Sequence, residues 1–170
     1  MPQVVWRFVC TMGGSESAYL VMGDQRPYLI VDGHSVIHAW PDLRKLHGVS
    51  AKRHLAREEL MKRMRHLQDM TGERVVVVFD GAASKVSEER ERDGLQVFYA
   101  DAATTADAVV ERLAARHAAT HRIRVASADG MVRDSVMASG AEWMSPEGLL
   151  GECERAETEM RMRIGGTAGR

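Results

Sequence analysis

The chain has 170 residues, of which 45% are apolar and 28% are charged, a composition typical of one globular domain with a buried core. Its 23 basic and 24 acidic residues give a formal charge of −1, which excludes a polycation that coats nucleic acid indiscriminately. Apolar runs reach only about five residues, far short of the roughly 18 that cross a bilayer. We therefore expect a cytoplasmic protein without a membrane partner, in which any affinity for nucleic acid comes from a local patch.

Both ends of the chain lack clear elements. Residues 1–26 include a mildly apolar segment, Val4–Met12, but no basic segment precedes it, so we interpret them as a poorly specified leader. Residues 165–170 are predicted to form a disordered tail, which leaves 27–164 as the domain. Cys10 and Cys153 lie far apart without CxxC spacing, which argues against a zinc ribbon, a redox motif or a disulfide framework.

The first half of the domain contains two strong strand patterns and one long helix. Tyr28–Asp32 is a short run rich in β-branched residues, typical of a buried parallel strand. From about Ser50 to Met70, apolar residues recur at helical spacing behind an N-cap serine, which predicts an amphipathic helix. Arg74–Gly81 is too short and too β-branched for a helix and is predicted to be a central strand. The inward positions of the helix are Leu55, Leu60, Met61, Met64 and Leu67.

After a charged loop at Ser84–Asp93, strands and helices alternate to the end of the domain. This alternation implies right-handed crossovers between parallel strands. We therefore predict an α/β fold of three layers, in which a central parallel sheet of about five strands is covered by helices on both faces. The predicted elements are strands at Leu95–Tyr99, Ile123–Ser127 and Glu142–Met144, and helices that begin near Thr104 or Thr105, at Met131 and after Ser145.

Four aspartates are placed at one edge of this predicted sheet. Asp32 and Asp80 end the first two strands, and Asp129 follows the fourth strand by two residues. Asp107 lies in the first turn of a helix that starts at the same edge, and Glu111 follows it by one helical turn. Because the functional crevice of an open parallel sheet lies outside the carboxyl ends of its strands, the pattern predicts one acidic pocket.

Carboxylates at such close range repel one another unless a cation lies between them. Taken singly, the Asp-Gly pairs that begin at Asp32, Asp80 and Asp129 are ordinary turn dipeptides, and Asp107 suits a helix N-terminus. Taken together, four carboxylates at one edge are costly without a ligand. Oxygen-only ligands favour Mg²⁺ or Mn²⁺, which can position a water and stabilise the charge on a phosphodiester under attack.

The motifs around these aspartates resemble, in order, those of the YacP-type NYN domains, a PIN-like family. The resemblance extends from about Tyr28 to Glu154 and implies a ribonuclease in which the same four aspartates are catalytic and, together with Glu111, bind the metal. The family includes ribosome-associated endoribonucleases that cut mRNA, so RNA and the ribosome are the implied partners. The matching segments are VDGHSVIHAWP from Val31, RVVVVFDG from Arg74, TAD from Thr105 with Glu111 after it, and VASAD from Val125.

One segment departs from the family pattern, which has DGYN where this chain has aspartate, glycine, His34 and Ser35. Asparagine offers both a donor and an acceptor, whereas serine is shorter. Two functions therefore stay open. One is a Mg²⁺- or Mn²⁺-dependent endoribonuclease that cleaves single-stranded RNA, and the other is a catalytically weak NYN module that binds RNA or the ribosome.

Other chemistries lack their signature residues. The sequence contains neither a GxxxxGK[ST] nor a GxGxxG motif to hold nucleotide phosphates. Haloacid-dehalogenase-type phosphatases need a second aspartate two residues after the first, and that position is His34. His34 and His38 are spaced to share one helical face, but the sequence shows no third ligand for zinc.

The helix predicted near residues 50–70 has the highest local density of basic residues. Arg53, Arg57 and Arg63 on this helix could hold RNA phosphates beside the acidic pocket, and a solvated face is the alternative. Trp40 could stack on a base, although an aromatic residue at this position also suits the core. The remaining candidate RNA contacts are Ser35 and His38.

Overall fold

A computed structural model of the chain describes residues 26–81, 87–90 and 94–167, so nearly all of the predicted leader lies outside the described residues. The strands are β1 Tyr28–Asp32, β2 Arg74–Phe79, β3 Ser87–Arg90, β4 Gln96–Tyr99, β5 Ile123–Ala126 and β6 Glu142–Met144. The helices are α1 Gly33–Ala39, α2 Pro41–His47, α3 Arg53–Thr71, α4 Ala106–His117, α5 Gly130–Ala138 and α6 Pro146–Thr167.

The described strands form one sheet in the order β3-β4-β2-β1-β5-β6. Five of them run parallel, which confirms the predicted α/β fold, and β3 pairs with β4 in the antiparallel direction at the edge. β3 lies inside the segment predicted as a charged loop. Its sequence, SEER, lacks the apolar pattern of a buried strand because an edge strand pairs on one side only.

Helices cover both faces of the sheet, and alternate residues of each strand face opposite cores. In β1, Leu29 and Val31 pack with α1, α2, α3 and α6, whereas Ile30 packs with α4 and α5. β1 lies between β2 and β5, and the chain moves outward from it in both directions. Strand order therefore reverses beside β1, which is where an open parallel sheet forms its crevice.

The long basic helix differs from its prediction at its start. Ser50 begins a short 3₁₀ turn, and α3 follows at Arg53 without a side-chain N-cap. Leu55, which was predicted to point inward, is 37% exposed. The buried face of α3 runs instead through Ala56, Leu60 and Met64, and the residue before Ala56 lies about 100° away from that face.

Two further predictions concern the chain segments around the sheet. Helices α1 and α2, between β1 and α3, were not predicted, although His34 and His38 do share the helix α1. α6 extends to Thr167, so residues 165–167 are helical where a disordered tail was predicted, and residues 168–170 lie outside the described part. Within that part, no helix combines the length and apolarity needed to span a membrane.

Candidate active site

One open cavity of about 490 Å³ lies where β1, β2 and β5 end and where α1, α4 and α5 begin. The predicted acidic residues Asp32, Asp80, Asp107 and Asp129 all line it. The structure therefore places the four aspartates in the crevice where strand order reverses. The rest of the lining is His34, Ser35, His38, Ala39 and Ala128.

Asp32 is the most buried of these aspartates, with 4% of its surface exposed. Its Oδ1 accepts a hydrogen bond of 3.2 Å from the backbone N–H of Ser35 and thereby caps α1. Ser127 Oγ donates to the other oxygen, Oδ2, over 3.4 Å. Burial, followed by hydrogen-bonding contact with the carboxyl group of Asp107, raises the pKa of Asp32 to about 7. Two carboxyl groups in such contact share a proton or hold a cation between them at neutral pH.

Asp80 connects the end of β2 to two other parts of the cavity. Its Oδ1 accepts a hydrogen bond of 2.8 Å from the backbone N–H of Ala106, the first residue of α4. Its Oδ2 lies 3.3 Å from Nδ1 of His34, and its backbone N–H lies 3.4 Å from the same nitrogen. Burial lowers the pKa of His34, although the negative charge of Asp80 opposes that shift. A neutral His34 can accept the backbone hydrogen bond through Nδ1 and carry its proton on Nε2.

Asp129 is the N-cap of α5. Its Oδ1 accepts hydrogen bonds from the backbone N–H groups of Met131, at 2.7 Å, and Val132, at 3.2 Å. Its own N–H donates to Ser127 Oγ over 3.1 Å, and Ser127 also contacts Asp32. The Oδ2 atom of Asp129 has no hydrogen-bond partner among the described residues, so it is available to a ligand in the cavity.

Ser35, a candidate RNA contact, holds the loop before Asp129. Its Oγ accepts a hydrogen bond of 2.6 Å from the backbone N–H of Ala128. Ser35 also lines the cavity, so it lies beside any substrate bound there. The direct contact is nevertheless with the β5–α5 connection, and Ser35 thus ties α1 to the start of α5.

The glycines that follow two of the aspartates are required by close packing. A side chain at Gly33 would collide with the ring of Phe79, and one at Gly81 would collide with the backbone carbonyl of Ala100. Gly33 begins α1 and neither glycine has a positive φ, so close packing rather than backbone conformation requires these glycines. They let β1 and β2 end tightly against their neighbours, which brings Asp32 and Asp80 to the same cavity.

The donor set fits a hard divalent cation that keeps part of its water shell. Among the described residues, no three His, Cys, Asp or Glu side chains converge closely enough to hold a metal ion unaided. Mg²⁺ commonly takes one or two carboxylates and completes its shell with waters and substrate phosphates. Asp32 and Asp107, in contact at the wall of an open cavity, are the pair that meets this requirement.

Glu111 does not join this set. Its Oε2 accepts a hydrogen bond of 3.0 Å from Ser135 Oγ, which links α4 to α5. Glu111 is also absent from the lining of the cavity. One helical turn places it on the same face of α4 as Asp107, but that turn carries its carboxylate away from the strand ends and towards α5.

Two predicted RNA contacts have structural partners. Trp40 is fully buried and donates a hydrogen bond of 2.7 Å from Nε1 to the carbonyl oxygen of Pro146, so it packs into the core rather than stacking on a base. The Arg63 guanidinium lies 5.3 Å from the centre of the Trp40 ring. It also pairs with Asp42 and, over 3.1 Å, with Glu59, so its charge is already compensated.

The other basic candidates form no ion pair with a described residue. The guanidinium of Arg57 lies 5.2 Å from the centre of the Phe79 ring. Phe79 is the residue directly before Asp80 in the chain. Arg53 is exposed at the start of α3. His38 is exposed and lines the cavity. Sequence reasoning missed His47, whose ring centre lies 4.8 Å from that of His38, because the turn between α1 and α2 was not predicted.

Comparison with known proteins agrees with this fold. The family described as the YacP-like NYN domain matches residues 29–168. The uncharacterized protein YacP of Bacillus subtilis (strain 168) is 34% identical over 138 residues, which cover 80% of each chain. A crystal structure of a mutant of Rae1 (YacP) from Bacillus subtilis superposes with a TM-score of 0.73 at 31% identity and 85% coverage of both chains. A second crystal structure of Rae1 (YacP) from Bacillus subtilis gives a TM-score of 0.68 at 31% identity, covering 82% of this chain and 80% of that one.

Proposed function

Because this chain belongs to the YacP-like NYN family, a PIN-like, nuclease-type domain, we propose that it is a metal-dependent endoribonuclease that cleaves single-stranded RNA at the four-aspartate cavity. The observation that carries the proposal is the convergence of four aspartates, among them the buried Asp32, on one cavity. Two carboxyl groups have no structural reason to meet at a strand end, because their charges oppose each other. A cation that both of them bind removes that conflict.

Each aspartate has a distinct role in this proposal. Asp32 and Asp107 would hold Mg²⁺ or Mn²⁺. When bound, the cation would position a water and stabilise the negative charge that grows on the phosphate under attack. Asp129 offers the unpaired Oδ2 to accept a hydrogen bond from that water, and Asp80 holds the start of α4 and so orients Asp107. The exchange consumes water and leaves two RNA ends, which makes the reaction a phosphodiester hydrolysis.

The substrate assignment rests on the shape of the cavity and on the family. A cavity that is open at the surface admits the interior of a strand, which suits cleavage away from chain ends. We propose mRNA as the target in the cytoplasm, with the ribosome as a partner that presents it. His38, Arg53 and Arg57 are the RNA contacts that this proposal retains, whereas Ser35 holds the loop before Asp129.

A second candidate is an NYN module that binds RNA or the ribosome with little turnover. Two observations favour it: serine stands at Ser35 where the family has asparagine, and no three potential ligands converge among the described residues. Both candidates predict RNA binding. They differ in whether metal ions produce new RNA ends.

The test is cleavage of an end-labelled single-stranded RNA, free and bound to ribosomes, in Mg²⁺, in Mn²⁺ and in EDTA. We expect cleavage with either metal, none in EDTA, and none from Asp129→Asn. Asp134→Asn is the matched control, because it removes an exposed carboxylate of α5 that does not line the cavity. Cleavage that persists in EDTA would refute the metal mechanism. Failure to cut either RNA form in any metal would instead favour the binding module.

A further inference from the structure

We infer that His34, His38, His47 and Arg57 form a nucleotide subsite beside the acidic cavity, which binds the RNA nucleotide next to the one that is cleaved. The identity of the ligand rests on the proposed function. The subsite itself rests on a cluster of rings and one uncompensated cation. None of these four residues is among the acidic set.

The three histidine rings meet where α1 and α2 approach each other. The ring centres of His38 and His47 are 4.8 Å apart, with their planes at 73°. His34 lies 6.2 Å from His47 and 6.5 Å from His38. His34 and His38 also line the acidic cavity, so the ring cluster continues directly from the aspartates. A strand that enters the cavity therefore passes these rings.

The cluster does not have the features of a structural contact. His38 is exposed, His47 is partly exposed, and neither ring makes a hydrogen bond to a described residue. Buried histidines in a core usually have such partners. Imidazole nitrogens can donate to or accept from a nucleotide, and imidazole faces stack on bases. Since no three metal-binding side chains converge among the described residues, a nucleotide suits these rings better than zinc.

Arg57 supplies the positive charge. It reaches over the ring of Phe79 and forms no ion pair with a described residue. The same Phe79 ring packs edge-on against His34, with the ring centres 5.9 Å apart, so Arg57 and His34 contact one ring. Arg63, two turns further along α3, is by contrast paired with two carboxylates. Arg57 is thus available to an RNA phosphate, as is the exposed Arg53 at the start of α3.

The acidic cavity and the neighbouring surface of Arg57 and the histidine rings suit different parts of one RNA strand. The acidic cavity suits a cation and the phosphate under attack, whereas Arg57 suits the neighbouring phosphate. The rings of His38 and His47 provide a surface for the attached base.

The experiment measures RNA binding apart from cleavage. Fluorescence anisotropy follows a labelled oligouridylate in EDTA, with every variant made in an Asp129→Asn background. The variants are Arg57→Gln, Arg57→Lys and His47→Ala. Arg112→Gln is the matched control, because Arg112 is an exposed arginine of α4, on the other face of the sheet. A second ligand of the same length lacks the bases and keeps the ribose-phosphate chain.

We expect Arg57→Gln to weaken binding of both ligands about three- to tenfold and to reduce the slope of log affinity against log salt by about 0.7, as one lost phosphate contact on a single strand does. Arg57→Lys should keep most of that slope. His47→Ala should weaken binding of oligouridylate and leave binding of the base-free chain unchanged. Arg112→Gln should change neither.

Equal RNA-binding curves for Arg57→Gln and Arg112→Gln would overturn the proposed subsite. So would a lack of oligouridylate binding by the Asp129→Asn background protein. Cleavage by the Arg57→Gln variant, with Asp129 restored and Mn²⁺ present, separates the two proposals. Cleavage at an unchanged KM would refute the subsite and leave the nuclease standing. Binding that depends on Arg57 without cleavage in any metal would refute the nuclease and leave the subsite standing.

Discussion

Asp80 Oδ1 accepts a hydrogen bond of 2.8 Å from the backbone N–H of Ala106, so the carboxylate that ends β2 fixes the first residue of α4. The next residue is Asp107, whose carboxyl group contacts that of Asp32. The Asp80 side chain therefore links the end of β2 to the start of α4, and α4 in turn brings Asp107 to Asp32 at the end of β1. Its structural role and its charge can be separated by mutation.

Asp80→Asn keeps an oxygen that accepts the Ala106 hydrogen bond, whereas Asp80→Ala removes it. We expect Asp80→Ala to lower the free energy of unfolding by about 1 kcal/mol relative to Asp80→Asn, the usual effect of losing an acceptor at a helix start. Urea denaturation measures this difference. RNA cleavage in Mn²⁺ should fall further in the alanine variant, because Asp107 loses its position as well. Equal stability of the two variants would show that the Ala106 contact does not hold α4.

Asp107→Asn should stabilise the metal-free protein. The substitution removes a charge that contacts Asp32, and it leaves the helix cap intact because Thr105 Oγ1 accepts from the N–H of Ala108. The loss of a favourable helix-dipole interaction costs only about 0.3–1 kcal/mol. We expect a net gain of about 1 kcal/mol, which raises the melting temperature by roughly 2–4 °C in EDTA.

The same protein in Mg²⁺ or Mn²⁺ provides the internal comparison. Metal should raise the melting temperature of the unaltered protein and have little effect on Asp107→Asn, because a ligand stabilises the state that binds it. Asp134→Asn, an exposed aspartate outside the cavity, should behave like the unaltered protein. A lower melting temperature for Asp107→Asn in EDTA would mean that Asp107 acts mainly as a helix-start residue.

The four aspartates could be predicted from sequence because each one follows a strand or starts a helix. Strand patterns such as RVVVVFD fix where a strand ends, and parallel strands all end at one edge. Asp32, Asp80 and Asp129 therefore met as expected, and close packing requires a glycine after the first two of them only. For these aspartates, the local sequence pattern is enough to predict their position in the fold.

Side-chain partners that lie far away in the chain could not be predicted in the same way. The indole of Trp40 reaches Pro146, which is 106 residues away, and nothing near Trp40 in the sequence indicates this contact. Arg63 was counted among the free basic residues because its partner Asp42 lies on another helix. His47 joined the site through an unpredicted turn. Such contacts depend on how helices pack, and helical periodicity alone does not determine that packing.

Trp40→Phe tests the structural role of this residue against its candidate role in RNA binding. Phenylalanine fills most of the space but cannot donate to the Pro146 carbonyl, which remains buried. We expect the free energy of unfolding to fall by about 1–3 kcal/mol, the cost of an unsatisfied buried acceptor. RNA affinity, measured by anisotropy below the melting transition, should not change. A loss of RNA affinity in the fully folded Trp40→Phe variant would show that Trp40 contacts RNA.

Glu73 gives the stability a pH dependence that does not involve the cavity. Glu73 is buried directly before β2, at the end of the sheet opposite to the cavity. Arg124 lies 3.5 Å away, and Oε2 of Glu73 has no partner among the described residues. Burial raises the pKa of Glu73 above its ordinary value of 4.5, and the positive charge of Arg124 only partly offsets this. A raised pKa in the folded state means that stability is greatest below the ordinary value and falls as pH rises through the raised one.

Glu73→Gln should therefore flatten the decline in stability above pH 4.5. The measurement is the urea midpoint across pH 4 to 8, in EDTA so that metal binding makes no contribution. Glu58→Gln, an exposed glutamate of α3, removes the same charge and should leave the decline in place. If the urea midpoint of Glu73→Gln declines with pH as steeply as that of the unaltered protein, the attraction of Arg124 outweighs the cost of burying Glu73.

The last prediction concerns Ser35, which holds the loop directly before Asp129. Its Oγ accepts a hydrogen bond of 2.6 Å from the N–H of Ala128, the residue directly before Asp129. Ser35→Ala removes that acceptor, so the loop that carries Asp129 should shift while the four carboxylates remain. The loss of one such hydrogen bond is about 1 kcal/mol, so we expect kcat to fall about five- to tenfold. KM and RNA affinity in EDTA should stay unchanged.

Ser35→Thr retains the hydroxyl group and should keep most of the activity, which distinguishes positioning from a mere loss of packing. Ser35→Asn introduces a side chain whose oxygen can accept from Ala128 while its amide donates to substrate. That variant should lower KM, because it adds a contact to RNA without removing the one that holds Asp129. If Ser35→Ala instead raises KM and leaves kcat intact, Ser35 contacts RNA directly. The position of Asp129 must then depend on Ser127, whose Oγ accepts from its N–H over 3.1 Å.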